Sequence, residues 1–442
     1  MPMSLPVLDP LAAFVDVGSE HMHVSIAGGP PEVFGAMTGE LHRLRDWLKE
    51  RQVSSVAMEA TGVYWLPLYG VLEAAGMRVL MVNGKHTRNL PGRKTDMKDC
   101  QWGATLHAHG LLRGGFVPPV HIRQLQDYLR LRDDHITMAA SHVQHMQKAL
   151  ERMNLKLHDV ISNVVGKSGL AVIQAILAGE RDPARLLALC DVQIQRRKAE
   201  AFQAALNGTW NPEHLFALRQ ALESWQHYRR QIEACDEEIR EGLLRLEASV
   251  ASREDGPDNA PPGPKKKMGI NAPAIDGLGG LMKRLHGGKD LTVLPACTTY
   301  SLMQLVGEVG LDLSQWPSAK HFTAWLGLAP GSYQSGKRCR GVGRKRNRAG
   351  RLLCVLARSL ARSKDIALGG FYRRLAARRG GLVANVATAR KLAILIWQAM
   401  VKGLDYVEEG LKQYETRVIE TKQRALKRLA KELGVQIPVA RS

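Results

Sequence analysis

The sequence predicts a fold of class α/β plus α, with an N-terminal α/β domain, a helical middle and a mostly helical C-terminal domain. Short apolar strand patterns alternate with amphipathic helix patterns over the first part of the chain, and two heptad patterns follow. A stretch rich in Pro, Gly and Lys then separates these from a further set of short helix patterns. The predicted segments are 8–118 (α/β domain), 119–251 (helical, coiled-coil region), 252–288 (linker), 289–405 (C-terminal domain) and 406–442 (basic C-terminal helix).

The order of elements in the N-terminal domain indicates its type. Strands are predicted at residues 11–17, 22–27, near 32–36, at 54–58 and at 78–82. A helix that Thr38 caps follows the third strand, and a second helix covers residues 64–75. Three leading strands, a helix and then alternating strand and helix are typical of a ribonuclease H-like domain. In that architecture the first and fourth strands are neighbours at the centre of the sheet.

Four acidic residues lie at the ends of predicted strands or at the start of a predicted helix in this domain. Asp16 ends the first strand and Glu59 directly follows the fourth. A helix that begins near Thr95 places Asp96 and Asp99 on one face, where their repulsion must be offset by solvent, a base or a metal ion. Four carboxylates suit two divalent cations, which stabilise the attacking and leaving oxygens in phosphodiester chemistry. Each acid taken singly is equally well explained as a turn former or a solvated surface residue.

The composition points to a polyanionic partner. The 442 residues carry a formal charge of +20 and a pI near 9.9, which favours nucleic acid, although a basic enzyme of another kind also fits. The six cysteines are scattered without a Cys-x-x-Cys pair, which indicates a reducing cytoplasm rather than disulfides or a zinc finger. The sequence contains neither a signal-peptide pattern nor an apolar stretch as long as a membrane span, so we expect a cytoplasmic protein without membrane contact.

The helical middle contains two heptad patterns. The first runs through Leu129, Ile136, Val143, Leu150 and Leu157, with Arg132 interrupting its companion seam. The second runs through Leu218, Trp225, Ile232, Ile239 and Leu246. Such patterns predict an antiparallel helical hairpin or an intermolecular coiled coil, and an ordinary helical bundle fits equally well.

The C-terminal domain is predicted to hold helices at 302–309 and 319–326, followed by a loop at 327–337. The stretch from 337 to 351 contains no acid and eight basic residues: Lys337, Arg338, Arg340, Arg344, Lys345, Arg346, Arg348 and Arg351. Such a run is typical of a surface that contacts phosphates, or of a flexible basic loop. Ser332 and Ser335 in the loop are equal candidates for a nucleophile on local chemistry, although neither has a neighbouring base.

Four stretches carry a resemblance to a known family: 14–18 (Phe-Val-Asp-Val-Gly), 58–62 (Met-Glu-Ala-Thr-Gly), 92–99 (Gly-Arg-Lys-Thr-Asp-Met-Lys-Asp) and 327–337, from Gly-Leu-Ala-Pro to Ser-Gly-Lys. Together they resemble the insertion-sequence transposases of the family numbered one hundred and ten, also called bridge-RNA-guided recombinases. The similarity covers roughly residues 11–160 and 290–405.

The resemblance implies a RuvC-like domain in which Asp16, Glu59, Asp96 and Asp99 hold magnesium, and two ions are expected. It also implies that Ser335, rather than Ser332, attacks a DNA phosphodiester as part of a composite site. The expected partners are donor and target DNA, a structured noncoding guide RNA, and further copies of the chain in a homodimer or homotetramer. The protein would then associate with the nucleoid when it acts. The alternatives are a RuvC-like, metal-dependent nuclease that uses the four acids alone, and a non-catalytic basic protein that binds nucleic acid.

Two positions depart from the family pattern. Cys100 stands where the family usually has alanine, which is an exchange of one small residue for another. The turn that commonly reads Gly-Ile-Gly-Pro at the start of the C-terminal domain is Leu294-Pro295-Ala296-Cys297 in this chain. The second departure concerns how that turn meets nucleic acid.

Overall fold

The computed structural model describes residues 6–59, 62–84, 96–250, 269–335, 338–342, 345–363 and 367–434. Within these ranges, the side chains at 96, 250, 332–335, 338–342, 408–412 and 414 are not described. The chain divides into two compact units, Met1–Val117 and Pro118–Ser442.

The first unit is built on a five-stranded mixed sheet. Its strands are β1 (Ala12–Val17), β2 (His21–Ile26), β3 (Glu32–Gly35), β4 (Ser55–Glu59) and β5 (Arg78–Val82). The spatial order is β3-β2-β1-β4-β5, in which β1, β2 and β3 pair antiparallel and β1, β4 and β5 pair parallel. The helices are α1 (Thr38–Glu50), α2 (Trp65–Ala74) and α3 (Asp96–Ala108). This arrangement confirms the predicted α/β domain and is consistent with a ribonuclease H-like fold.

The two faces of this sheet are covered by different helices. On one face, Val15 and Met58 pack with residues of α1 and α2 such as Leu44 and Leu72. The opposite face packs on α3, and its buried core consists of Phe14, Ala57, Val82, Cys100, Ala104 and Leu112. Because side chains alternate along a strand, β1, β4 and β5 each contribute to both layers.

The second unit begins with two long helices, α4 (Val120–Arg152) and α9 (Pro212–Val250). Between them lie α5 (Leu157–Val160), α6 (Lys167–Leu177), α7 (Pro183–Ala188) and α8 (Val192–Ala205). Arg132 of α4 pairs with Asp236 of α9, and the His142 ring stacks on Tyr228 further along. The contact partners run in opposite directions, so the two helices are antiparallel.

Most of the residues in the two heptad patterns are buried in the second unit. Leu129, Leu150, Leu218, Ile232, Ile239 and Leu246 are buried. The first helix ends at Arg152, because Asn154 adopts a left-handed φ of 55°, and Leu157 therefore belongs to α5. The pairing occurs within one chain, and an intermolecular coiled coil stays a prediction.

The rest of the second unit is also mainly helical. Its helices are α10 (Leu278–Leu285), α11 (Thr299–Val309), α12 (Ala319–Trp325), α13 (Arg348–Ser359), α14 (Leu368–Arg379), α15 (Gly381–Lys402) and α16 (Leu404–Leu433). Two strands, β6 (Gly331–Ser335) and β7 (Arg338–Val342), form an antiparallel hairpin in the stretch where we predicted a loop. Helix α10 lies in the segment predicted as a linker, of which residues 252–268 fall outside the described part of the chain. Across the described residues, no helix is both long and apolar enough to span a membrane.

Candidate active site

Asp16 and Glu59 occupy equivalent positions on neighbouring strands. In the parallel pairing of β1 with β4, Val15 lies opposite Met58, and the two acids are the next residues on their strands. Both side chains are half-buried. The adjacency expected from the order of the predicted strands is therefore present in the sheet.

Both acids belong to the face of the sheet that α3 covers. Asp16 alternates with Phe14, and Glu59 alternates with Ala57, and these two apolar residues pack against α3. The carboxylates thus lie at the carboxyl ends of β1 and β4, on the side of the sheet where α3 begins with Asp96.

Close contacts fix α3 against this face. The Cys100 thiol donates to the backbone oxygens of Phe14, at 3.3 Å, and His23, at 3.0 Å. A side chain at Gly103 would lie 2.6 Å from atoms of the Phe14 ring, so only glycine allows this approach. Asp99 precedes Gly103 by four residues, and the two therefore share one face of the helix.

Asp96 precedes Cys100 by four residues and so begins the same face of α3. Its side chain is not among those described, whereas Asp99 is half-buried. The helix turn that carries the two aspartates is adjacent to the strand end that carries Asp16.

The chemistry of this site is that of oxygen ligands. Burial, and to a smaller extent the negative charge of Asp16, raise the pKa of the Cys100 thiol to about 12. The thiol therefore stays protonated near neutral pH and acts as a hydrogen-bond donor rather than as a soft metal ligand. The remaining acidic donors are carboxylates, which hard divalent cations prefer.

Gly84 sits against the carboxylate of Glu59. A methyl group at this position would lie 2.5 Å from Cδ of Glu59 and closer still to Oε1. Gly84, two residues after the end of β5, thus makes room for the Glu59 carboxylate. Sequence reasoning missed this residue, because a glycine after a strand ordinarily signals only a turn.

The donors are of the type that a hard divalent cation such as magnesium prefers. Asp16 and Glu59 are neighbours on one face, and Asp99 lies on the helix that covers it. No group of three or more His, Cys, Asp or Glu side chains at metal-binding positions is found within the described residues, which exclude the Asp96 side chain.

Ser335 lies at the end of β6, where its backbone pairs with Arg338 of β7. Ser332 pairs with Gly341 nearer the start of the hairpin. Residues 336 and 337, which join the two strands, fall outside the described part of the chain.

The base of this hairpin is tied to the start of α13. Gly327 has a left-handed φ of 72°, and any side chain there would lie 2.5 Å from the backbone oxygen of Lys345. Asn347 caps α13 by accepting from the Gly350 amide at 2.8 Å, and its own amide group donates to the oxygen of Trp325 at 3.2 Å. The segment that leaves β7 is thereby held beside the segment that enters β6.

The eight residues of the predicted basic run have different surroundings. Lys345, Arg346 and Arg351 are exposed, whereas Arg348 forms ion pairs with Asp133, at 3.2 Å, and Glu308, at 3.9 Å. These partners lie far away in sequence, so no local signal distinguishes Arg348 from its neighbours. Arg338 and Arg340 lie on β7 without described side chains, and Lys337 and Arg344 fall outside the described residues.

Comparison with known families decides the identity of the chain. Residues 15–155 match a DEDD transposase family of IS110 elements, described as "Transposase". Residues 289–373 match the family described as "Transposase IS116/IS110/IS902 family". Together these matches cover about half of the chain. The chain belongs to the IS110 family of transposases.

This IS110-family transposase is therefore an enzyme that acts on DNA. The first matched segment contains all four candidate acids, and the second contains both candidate serines. No curated protein matches the chain.

Proposed function

We propose that this transposase cuts and rejoins DNA through Ser335, assisted by a magnesium site at Asp16, Glu59, Asp96 and Asp99. The observation that carries the proposal is the placement of Asp16 and Glu59 side by side on β1 and β4, on the face of the sheet that α3 covers, and α3 begins at Asp96 and contains Asp99. The choice of Ser335 rests on the family resemblance of its Ser-Gly-Lys motif.

The proposed chemistry is an exchange of phosphate esters. The Ser335 oxygen forms a bond to phosphorus while a bond from phosphorus to a deoxyribose oxygen breaks, and the proton that serine loses balances the one that the freed sugar hydroxyl gains. The number of ester bonds is unchanged, so a second sugar hydroxyl can reverse the step on another strand without an energy-rich cofactor. Rejoining to a different strand is what transposition requires.

The acids and the basic residues have complementary roles in this scheme. When bound by the four carboxylates, magnesium would supply positive charge to the phosphate oxygens. Lys345, Arg346 and Arg351 are exposed and would contact neighbouring phosphates, which positions the DNA without reading its sequence.

Substitution of Ser335 by alanine separates this mechanism from that of a RuvC-like nuclease. We expect S335A to lose both strand cleavage and the covalent protein–DNA adduct that denaturing gels detect. The variant D16N should also lose cleavage but should melt within a few degrees of the wild type, because Asp16 is only half-buried. Cleavage that persists in S335A, with no adduct in the wild type, would support hydrolysis at the four acids instead.

A guide RNA forms a second part of the proposal. The net charge of +20 supports binding of a polyanion, and the family resemblance supports a structured RNA from the flank of the element. RNA bound to the purified transposase would be sequenced and tested for restoration of cleavage at a matching target. Full activity with RNA-free protein on arbitrary duplexes would contradict guidance.

A homodimer or homotetramer completes the proposal. It is supported by the family resemblance and by the exposed apolar residues Ile419, Leu426, Leu429 and Leu433 of α16. Light scattering at several protein concentrations, with and without nucleic acid, measures the assembly. A monomer that cleaves at full rate under all conditions would refute it.

A further inference from the structure

The charge of this transposase is concentrated in one part of the chain. Residues 313–404 contain 19 Lys and Arg residues and a single acid, Asp365, so they contribute +18 of the total of +20. Eight of these basic residues belong to the run from 337 to 351. The other eleven lie outside the segment proposed above to contact phosphates, and several of them are on α14.

Helices α14 and α15 form a hairpin with a charged tip. A single residue, Gly380, joins the helices with a left-handed φ of 82°. Neither helix contains an acidic residue, and α14 ends in Arg378 and Arg379, which are both exposed. Neither arginine forms a hydrogen bond or ion pair with a described residue.

Several arginines elsewhere in the second unit have hydrogen-bond or ion-pair partners. Arg373, earlier on α14, donates to the backbone oxygens of Ala361, at 3.3 Å, and Ser363, at 2.7 Å. On α16, Arg424 pairs with Glu420 at 3.6 Å and Arg428 pairs with Glu432 at 3.8 Å. The charges of Arg378 and Arg379 are therefore not offset by neighbouring acids in the described part of the chain, whereas those of Arg424 and Arg428 are.

Two aliphatic side chains stand beside these arginines. Leu382 is 82% exposed and Val383 is 51% exposed, and both lie in the first turn of α15. Exposure of two adjacent aliphatic residues costs free energy in water unless a partner covers them. The two exposed arginines nearby favour a polyanion over a purely apolar partner.

We propose that the hairpin tip, residues 378–383, binds duplex DNA across its minor groove. Arg378 and Arg379 contact backbone phosphates, while Leu382 and Val383 press on the sugars and base edges between them. Proteins that bind the minor groove use this combination of basic residues and aliphatic wedges, and the wedge bends the duplex. The tip contains no aromatic residue, and aromatic side chains are what sequence-tolerant single-strand binding uses for stacking.

This surface is separate from the proposed chemistry. None of its residues is among the four acids, Ser335 or the basic run from 337 to 351. A failure of the serine mechanism would leave the binding predictions intact, and a failure of DNA binding at the tip would leave the serine mechanism intact.

The first test measures binding of the full-length protein to a fluorescent duplex of about 30 base pairs at several salt concentrations. The slope of log K against log salt is negative, and each lost phosphate contact reduces its magnitude by about 0.9. We therefore expect R378Q/R379Q to reduce the magnitude of the slope by about 1.8. The matched control R424Q/R428Q removes the same charge from arginines that are paired to acids, and we expect it to change the slope by less than about 0.5. A slope that is unchanged in R378Q/R379Q, or equally changed in the control, would overturn the proposal.

The second test examines the aliphatic residues. We expect L382A/V383A to bind the duplex several-fold more weakly and to bend it less, as measured by energy transfer between end labels, with the salt slope unchanged. All these positions are exposed, so each variant should melt within about 2 °C of the wild type. The proposal would be overturned if L382A/V383A bound and bent the duplex as the wild type does, if single strands or duplex RNA lost more affinity than duplex DNA, or if the variant instead lost self-association.

Discussion

Substitution of Gly84 by alanine tests whether the Glu59 carboxylate takes part in the reaction. The backbone at Gly84 is not in the left-handed region, so alanine can adopt its conformation. The conflict is instead with Glu59, whose Cδ would lie 2.5 Å from the new methyl carbon. The substitution therefore acts on one carboxylate without removing it.

The size of the effect follows from these distances. Carbon atoms in contact are about 3.5 Å apart, so the Glu59 carboxyl group must retreat by roughly 1 Å. A half-buried side chain can do this by leaving its preferred rotamer, at a cost of about 0.5–1.5 kcal/mol of stability. A displacement of about 1 Å in a catalytic group can lower a rate by roughly a hundredfold. We thus expect a large loss of cleavage with a small loss of stability.

The assay compares G84A with the control G39A by initial cleavage rate and thermal melting. A methyl group at Gly39 would meet no atom within 4 Å, and its backbone is also outside the left-handed region. The increase in melting temperature on adding Mn²⁺ or Mg²⁺ provides a readout that does not depend on cleavage. We expect this increase to shrink in G84A and to be normal in G39A.

Two results would refute the reasoning. A normal cleavage rate in G84A, with melting as in the wild type, would show that the position of Glu59 does not matter to the reaction. Unfolding of G84A at low temperature would show that the conflict is not absorbed by the side chain of Glu59 and that Gly84 has a structural role instead.

Three further predictions concern stability, each measured by denaturant unfolding. Arg132 is 1% exposed and pairs with Asp236, so R132M should lower the free energy of unfolding by about 3–5 kcal/mol, with a smaller loss in R132M/D236L. The pKa of Cys100 is raised from 9.0 to about 12. The protonated thiol's contribution to stability is therefore complete below pH 9 and is lost between pH 9 and 12. Between pH 7 and 10 we expect the free energy of unfolding of the wild type to fall by about 1.4 kcal/mol relative to that of C100A. Ala296 has a φ of 59°, so A296G should be more stable by about 1 kcal/mol. A null result in any of these measurements would contradict the corresponding contact, pKa shift or strain.

The α/β unit was predictable because its strands carry local signals. The apolar segments of β1, β4 and β5 have the length and composition of buried strands, and β5 has the predicted bounds 78–82. The neighbouring positions of Asp16 and Glu59 then follow from the order of the strands alone.

The hairpin of β6 and β7 was not predictable in the same way. Six of the residues at 331–342 are Gly, Lys or Arg, which interrupt any apolar alternation, so the stretch resembles a loop. The strands form because their backbones pair with each other and the base of the hairpin is tied to α13 through Gly327. These are contacts between distant segments, which a local pattern does not record.

Arg132 shows the same limit in the helical middle. Its position in the seam of α4 appears as an interruption of the heptad pattern. In the structure its guanidinium pairs with Asp236 and donates to the oxygen of Asn271, at 2.9 Å, and to the hydroxyl of Tyr300, at 3.1 Å. The residue is buried because three separate segments supply its acceptors, and none of them lies near it in sequence.

The candidate site depends as much on small residues as on its carboxylates. Gly103 lets α3 approach the Phe14 ring, Gly84 leaves room for Glu59, and Cys100 is small enough to reach two strand carbonyls with its thiol. Larger side chains at these three positions would move α3 or Glu59 while leaving every acid in the sequence. Since the arrangement of the acids is fixed by neighbours that carry no charge, a search for carboxylate motifs finds the acids but not what holds them in place.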